Sequence, residues 1–437
     1  MLKAMEYDLA VIGAGWAGIS AARYAKAQGM KVALLEKDLL GGTCLNRGCI
    51  PTKTFLQSVR VFSLVHSCKR FGVEVGSAKF YFKEVQARSQ MIIKQLSQGL
   101  NSLLSGVDFF SGEAEVLDAT SLKVADRRIR AKNILIASGS SPKGLEGVFG
   151  FEGKKIVSSD EIFLQEDVPE SLLIIGGGVI GCECASIFSA LGCKVTLVEK
   201  MPQLLPGFDR EISQRLVNSF KKRGIIVRIN STVSPNELLG FGRVLVSVGR
   251  VPNINISGLN KLGVNLEGNR INVDKFLMTN VPNIYAAGDC TAQILMANYA
   301  AAQGRLAVWN IIHPQKPRNL AVQNVPNCIF TVPEIASVGM TVKEAESQGI
   351  SFKIHRFDFL GSAMARILDE AEGFIKIISE QKSGRILGGV IVGPKATELI
   401  GILSVAVANG LKIDQVKHTI FGHPTLSEVF SEVVSDG

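Results

Sequence analysis

Tyr7-Asp8-Leu9-Ala10-Val11-Ile12-Gly13-Ala14-Gly15-Trp16-Ala17-Gly18 and Ser171-Leu172-Leu173-Ile174-Ile175-Gly176-Gly177-Gly178-Val179-Ile180-Gly181 share one pattern, an apolar strand running into G-x-G-x-x-G. A helical stretch follows each, to Gly29 and to Gly192, and a second strand then closes on an acid, Glu36-Lys37 or Glu199-Lys200. The offset is 163 residues at every landmark, from 13 to 176, 18 to 181, 29 to 192 and 36 to 199. Each copy later ends in another apolar strand and a glycine, Ile134 to Gly139 and Val244 to Gly249. The parts have separate physical reasons. Gly13 and Gly176 make the tight turn, Gly15 and Gly178 let the backbone approach a pyrophosphate, and Gly18 and Gly181 let helix and sheet pack closely. The helix N-terminus faces the phosphate charge, and the acid accepts from ribose hydroxyls. A lone G-x-G-x-x-G is weak evidence; two copies with strand, helix and acid in register read as two βαβ dinucleotide-binding units.

The chain has 437 residues, enough for roughly three domains. With 46% hydrophobic and 20% charged residues its composition is globular, which excludes disorder and fibrous repeats. No run reaches the roughly 18 apolar residues of a membrane span, and no leader or transit pattern precedes Tyr7, so a soluble, cytoplasmic protein without a membrane partner is expected. Net charge is +9, but the basic residues are spread out, and the longest cluster, Lys221-Lys222-Arg223, reads as a solvated helix end. Aromatics are 7% and no nucleic-acid module accompanies the charge, so nucleic acid is not an expected partner. Eight cysteines without a leader argue against a secreted disulfide framework. Cys68, Cys193, Cys290 and Cys328 are isolated and read as small buried hydrophobes. Cys182-Glu183-Cys184 lacks a second ligand pair, so no metal site is expected. Only Cys44 and Cys49 stand out.

After Gly249 come Arg250-Val251-Pro252-Asn253, a polar stretch to about Ile271, a strand-like segment from Asn283 to Asp289 and a helical segment to Ile312. His313 to Arg318 has linker chemistry. From about Leu320 the pattern changes to α+β. Strands are expected near Phe352–Phe359, Gly373–Ser379 and Ile386–Val392, with helices near Val342–Gln348 and Ala396–Asn409. Thr341 with Glu344 reads as a capping box, Gly410 as a helix stop, and a last helix should follow Pro424.

Two stretches carry chemistry. Gly41-Gly42-Thr43-Cys44-Leu45-Asn46-Arg47-Gly48-Cys49-Ile50-Pro51-Thr52-Lys53 lies just past the first acid. Residues five apart in a regular helix have Cα atoms roughly 8–9 Å apart, whereas a disulfide needs less than about 7 Å. If these cysteines bond, the helix must be distorted, and Gly48 and Pro51 are the residues to do it. A nearby helix N-terminus and Lys53 would favour a thiolate. Near the C-terminus, His423-Pro424-Thr425-Leu426-Ser427-Glu428 lets Glu428 reach back to the imidazole, fixing its tautomer and raising its basicity. Glu183 is expected on the first turn of the second nucleotide helix, facing a nicotinamide. Taken singly, the His-Pro pair reads first as a surface turn, and Lys53 or Glu183 as a capping or solvated charge.

Gly41 to Lys53 matches GGTC-x4-C-x-P-x-K, the redox-active disulfide motif of the flavoprotein disulfide reductases, and the chain resembles that family over nearly its whole length. The likeness is greatest to the dihydrolipoamide dehydrogenases: Gly373 to Ile378, Gly384 to Gly388, Ile391 to Pro394, Glu398 to Ile400 and the HPTLSE wording of His423–Glu428 all fit their C-terminal domain. The resemblance implies an α/β fold with two Rossmann-like domains, for FAD and NAD, plus a C-terminal α+β dimerisation domain. Residues 1–144 and 271–320 would form the FAD-binding domain, 145–270 a shortened NAD-binding domain, and 321–437 the interface domain. It further implies that Glu36, with Lys37 beside it, binds the FAD ribose, and that Gly13, Gly15, Gly18, Gly42 and Thr43 meet the pyrophosphate. Asp289 would hold the ribityl chain, Ala114 would lie near adenine, and Ala297 and Lys53 near the isoalloxazine, with Gly139 in the same site. Cys49 would be the flavin-proximal sulfur and Cys44 the interchange sulfur. His423 and Glu428 would be the base dyad, supplied across a homodimer interface. Gly176, Gly178, Val179, Ile180, Gly181, Glu199, Val233 and Gly249 would bind NAD. The implied activity is oxidation of a dihydrolipoyl dithiol borne by proteins of 2-oxo acid dehydrogenase or glycine cleavage complexes.

Alternatives within the resemblance are a glutathione- or mercuric-reductase-like enzyme and a non-catalytic flavoprotein subunit. Glu199 would repel a 2′-phosphate, the tail from Val433 to Gly437 lacks an extra cysteine pair, and retention of Cys44, Cys49, His423 and Glu428 argues for catalysis. Three departures are visible. Only about 17 residues lie between the strands near Val227 and Leu245, where the family inserts a small β-meander. Asn298 stands where relatives often have His, and Phe421-Gly422 replaces their usual His-Ala.

Overall fold

The computed structural model describes residues 5–145 and 155–435. Three sheets organise it. Met5–Ile12 is buried on both faces from Leu9 to Val11, which is why it reads as a continuous apolar run. It pairs in parallel with Val32–Glu36 on one side and Arg127–Ile136 on the other. Asp108–Ser111 extends one edge, and the antiparallel hairpin Ala114–Asp118 and Ser121–Val124 extends the other. Ile284–Ala286 adds a parallel strand to Arg127–Ile136. The second sheet is wholly parallel, in the order Ile226–Arg228, Lys194–Val198, Ser171–Ile175, Arg243–Val246 and Ile156–Ser158. The third is wholly antiparallel: Asn327–Ile329, Glu334–Gly339, Ile386–Gly393, Phe374–Glu380 and Phe352–Asp358, packed on the helix Ala396–Ala408 through Leu399, Ile400 and Leu403.

The glycine-rich turns obey the expected sterics. Gly13 and Gly176 sit at φ +103° and +108°, and a Cβ on either would lie 2.3 Å from the Ala137 carbonyl oxygen or 2.4 Å from that of Ser247. The helices that follow, Trp16–Ala27 and Val179–Ala190, keep the 163-residue offset at both ends.

One helix ties the three sheets together. Cys49–Ser67 places Phe55, Leu56 and Val59 in a core that also holds Phe163 and Phe188 from the second unit and Ile329 and Phe374 from the third. Phe55 stacks on Phe163 at 4.7 Å between centroids. Each such aromatic contributes about 1.5–3 kcal/mol by leaving water, so the cysteine-bearing end of this helix is fixed where the units converge.

Several expectations need correction. The C-terminal sheet also has Asn327–Ile329 and Glu334–Gly339, which the pattern did not announce because they are short and flanked by Pro326 and Pro333. After Pro424 comes a 3-10 turn, Leu426–Glu428, and the last helix is Val429–Ser435. Cys193 and Cys290 are buried, but Cys68 and Cys328 are only partly so. Between Ile226–Arg228 and Arg243–Val246 lies a single helical turn, Pro235–Leu238, in place of a meander. The Thr341–Glu344 capping box is formed, and Gly410 follows the helix end at φ +62°.

Candidate active site

Both nucleotide turns open onto one cleft of about 1710 Å³. Gly13, Gly15, Glu36 and Lys37 line it from the first unit; Gly176, Gly178, Val179, Ile180 and Glu199 line it from the second. Gly42, Thr43, Cys44, Cys49 and Lys53 lie between them, and Ala114, Gly139, Val233, Gly249, Asp289 and Ala297 complete the wall. Gly18 and Gly181 do not reach it: they sit behind the turns, where a Cβ would fall 1.8 Å from the Gly13 oxygen or 2.0 Å from the Gly176 oxygen.

The turns fit a pyrophosphate. A Cβ on Gly15 or Gly178 would meet nothing within 4 Å, so each helix N-terminus faces an open seat that a side chain would fill. The acids are held alike. Glu36 accepts from the Ala14 and Asp38 amides at 2.6 and 2.8 Å, and Glu199 from the Gly177 and Met201 amides at 2.6 and 2.7 Å. Each carboxylate oxygen keeps a second lone pair for a ribose hydroxyl. Lys37 pairs with Glu113, which lines the same cleft.

Gly48 breaks the cysteine segment. Gly42–Asn46 is one short helix, and Cys49 begins the next at its first residue, with Gly48 at φ −110°, ψ −101° between them. Pro51 is not the distorting residue; it lies in the first turn of the second helix, where its missing N–H has no bond to lose. Both sulfurs are present as thiols. The hydrogen bond between them and burial raise the Cys44 pKa. The same bond, aided by Lys53 against burial and the Glu183 charge, lowers that of Cys49 to about 7. Negative charge therefore rests on Cys49, at a helix N-terminus.

Lys53 Nζ donates to both Glu183 oxygens at 3.0 and 2.8 Å and lies over the Phe330 ring at 4.4 Å. Glu183 also accepts from the Phe330 amide at 3.0 Å. Glu183 is the fifth residue of Val179–Ala190, at the start of its second turn rather than on the first, because Gly178 caps that helix. Cys182 and Cys184 are both buried, and among the described residues no cluster suits a metal ion. Arg250, to which the sequence assigned no role, donates to Ser140 Oγ at 2.9 Å, to Thr43 Oγ1 at 3.3 Å and to Asp160 at 3.2 Å. Ser140 in turn donates to Asp289 at 2.6 Å. Burial raises the Asp289 pKa, and this chain opposes the rise. The Gly-Arg-x-Pro-Asn spelling after the last strand was the available signal.

His423 and Glu428 stand apart. Glu428 accepts from His423 Nδ1 at 2.7 Å and from the Thr425 amide at 2.8 Å, contacts that hold its own pKa down. A carboxylate only accepts, so Nδ1 carries the proton of this bond, and in the neutral imidazole Nε2 is the nitrogen that can accept one. That imidazole is 75% exposed and is not part of the cleft of its own chain.

The sequence profile of the pyridine nucleotide-disulphide oxidoreductases matches residues 7–304, and that of their dimerisation domain matches residues 325–434. Dihydrolipoyl dehydrogenase of Chlorobaculum tepidum is 36% identical over 458 residues, covering 99% of this chain and 97% of its own. That of Bacillus subtilis is 34% identical over 470 residues, covering 99% of each. Among solved structures, LpdA from Mycobacterium tuberculosis superposes with a TM-score of 0.90 at 27% identity, over 98% of this chain and 99% of that one. The HOCl-induced flavoprotein disulfide reductase RclA from Escherichia coli does so at 0.88 and 26%, with the same coverage. Two nucleotide turns around a split cysteine helix, followed by a dimerisation domain, agree with these matches, and the chain belongs to the pyridine nucleotide-disulphide oxidoreductase family.

Proposed function

We propose that the chain is an NAD-dependent dihydrolipoyl dehydrogenase that works as a homodimer on lipoyl groups carried by proteins of 2-oxo acid dehydrogenase or glycine cleavage complexes. The observation that carries the reading is the unequal pair of sulfurs between two nucleotide turns. A partner chain supplies the base. His423 Nε2 takes a proton from one substrate thiol, and the resulting thiolate attacks Cys44 in the Cys44–Cys49 disulfide. The Cys44–Cys49 bond breaks and Cys49 leaves as a thiolate, held by its helix N-terminus and Lys53. The second substrate thiol loses its proton and attacks the sulfur joined to Cys44. The substrate disulfide closes, and Cys44 departs and takes up a proton. FAD, when bound, accepts the electron pair from the dithiol and passes a hydride to NAD⁺. Glu183 keeps Lys53 oriented, and Arg250, Ser140 and Asp289 form the wall where the ribityl chain would lie. The six other cysteines are free thiols, as a reducing compartment such as the cytoplasm allows.

The test is turnover of dihydrolipoamide with NAD⁺ by the FAD-loaded protein. NADH should form, and glutathione disulfide with NADPH should be a poor pair; the reverse preference overturns the reading. Sharing of the site is tested by mixing the inactive Cys44→Ser and His423→Ala chains. Random pairing makes half the dimers mixed, each with one working site of two, so activity should approach a quarter of wild type. Inactivity of proven mixed dimers would place the base in its own chain.

A further inference from the structure

Trp16 is the first residue of the helix Trp16–Ala27 and lines the cleft beside Cys44. Its ring is partly open to the cleft, yet its indole Nε1 is buried and meets no hydrogen-bond partner. A buried Trp N–H ordinarily finds an acceptor, since leaving one unmade forfeits its hydration. Here the neighbouring sulfur is spoken for. Cys44 is a neutral thiol that shares its proton with Cys49, and a thiol is a weak acceptor. We propose that Trp16 is the donor that receives the charge when it moves to Cys44, closing an N–H···S⁻ bond on the interchange sulfur.

The groups facing Cys44 support this assignment. Cys49 pulls the charge away from it, whereas Trp16 and then Lys53 draw the Cys44 pKa down. Lys53 cannot discriminate, because it favours a thiolate on Cys49 as well and is itself neutralised by Glu183. Trp16 acts on Cys44 and not on Cys49, so it is the group that shifts the balance between the two sulfurs. The form with charge on Cys44 is the one that attacks a disulfide, so Trp16 serves the direction in which the dithiol reduces substrate. The sister position in the second nucleotide unit is Val179, which has no donor and faces no dithiol.

The inference rests on Cys44 being the interchange sulfur, but its test needs neither substrate nor turnover. In the FAD-loaded Cys49→Ser protein, Cys44 is the remaining thiol of the pair, and its alkylation by iodoacetamide is followed against pH by mass spectrometry. Adding Trp16→Phe, which keeps a ring and removes the N–H, should move the midpoint upward and slow the reaction at neutral pH about three- to tenfold. The alkaline plateau should stay unchanged. Superimposable profiles overturn the proposal, as does a rate change of equal size at every pH, which would report access alone. Trp16→Val, the residue of the sister turn, is the second variant and should give the same upward shift; retained flavin absorbance shows that each has folded. Failed turnover of dihydrolipoamide by wild type with a shifted midpoint in Trp16→Phe would refute the substrate and leave this assignment standing.

Discussion

The two nucleotide units are nearly superimposable in their turns and differ in what returns to them. Their N-cap glycines have almost the same dihedrals, φ −77°, ψ −173° at Gly15 and φ −74°, ψ −171° at Gly178, and both helices run 12 residues. After the acid, each chain comes back to touch the turn: the Gly41 amide donates to the Ala14 oxygen at 2.9 Å, and the Leu205 amide to the Gly177 oxygen at 2.8 Å. There the likeness ends. In the first unit Gly42 presses so close that its Cβ would lie 2.9 Å from the Gly15 Cα, and the split cysteine helix begins. In the second the chain enters the amphipathic helix Arg210–Lys222, which buries Ile212, Leu216 and Phe220. In the proposed function the turn seats a phosphate in both, and the redox chemistry belongs to the loop that returns to only one of them.

Removing the returning loop's chemistry should have the largest effect. Cys44→Ser or Cys49→Ser should lower turnover by a factor on the order of 10³ or more while both nucleotides still bind, because the disulfide that the substrate thiolate attacks can no longer form and the seats are untouched. Loss of flavin from these variants would show that loop and turn are not separable. The next effect distinguishes the seats. Gly13→Ala and Gly176→Ala meet equivalent carbonyl oxygens at 2.3 and 2.4 Å. The first should yield protein depleted of flavin. The second should keep flavin and raise the KM for NADH by about tenfold or more, in line with strain of roughly 1–3 kcal/mol at a positive φ. Flavin loss from Gly176→Ala alone would exchange the two assignments. Smaller again is the acid: Glu199→Ala should narrow the preference for NADH over NADPH, read as kcat/KM, by about tenfold, since a carboxylate repels a 2′-phosphate.

What was legible follows from sterics that act locally. Gly13, Gly18, Gly176 and Gly181 are forced by backbone atoms within a few ångströms, so their spacing survives in the sequence. The need for a break between Cys44 and Cys49 is likewise geometric, and Gly48 makes it. Pairings between distant elements left no such trace. Arg250 reaches Thr43 across 207 residues, and Arg60 pairs with Glu334 across 274. Neither partner has a pattern that points to the other. Glu183 falls just past the expected first turn because the cap residue, Gly178, rather than the glycine motif as a whole, fixes where the helix starts. Trp16 passed as a variable position of the motif; only the fold shows that it faces a thiol.

The smallest effect separates the thiols of the two helices by pH. Cys49 begins its helix, and its pKa is lowered from 9.0 to about 7. Cys182 and Cys184 lie inside the second unit's helix, fully buried, and burial pushes both of their pKa values up. The sign for Cys49 is that of a depressed acid. Its thiolate is fully present at pH 9 and above, and is lost as pH falls through about 7. In the reduced, flavin-loaded protein the long-wavelength absorbance of a thiolate against flavin should therefore drop by about half between pH 9 and pH 7, and further below that. Cys182 and Cys184 should stay unreactive to iodoacetamide over the same range in the folded protein, although Cys184 lines the cleft. A midpoint near 9 would mean that neither the bond from Cys44 nor Lys53 favours charge on Cys49. Labelling of Cys184 at pH 7 would mean that the second helix also carries a poised thiol, and the two units would differ less than their returning loops indicate.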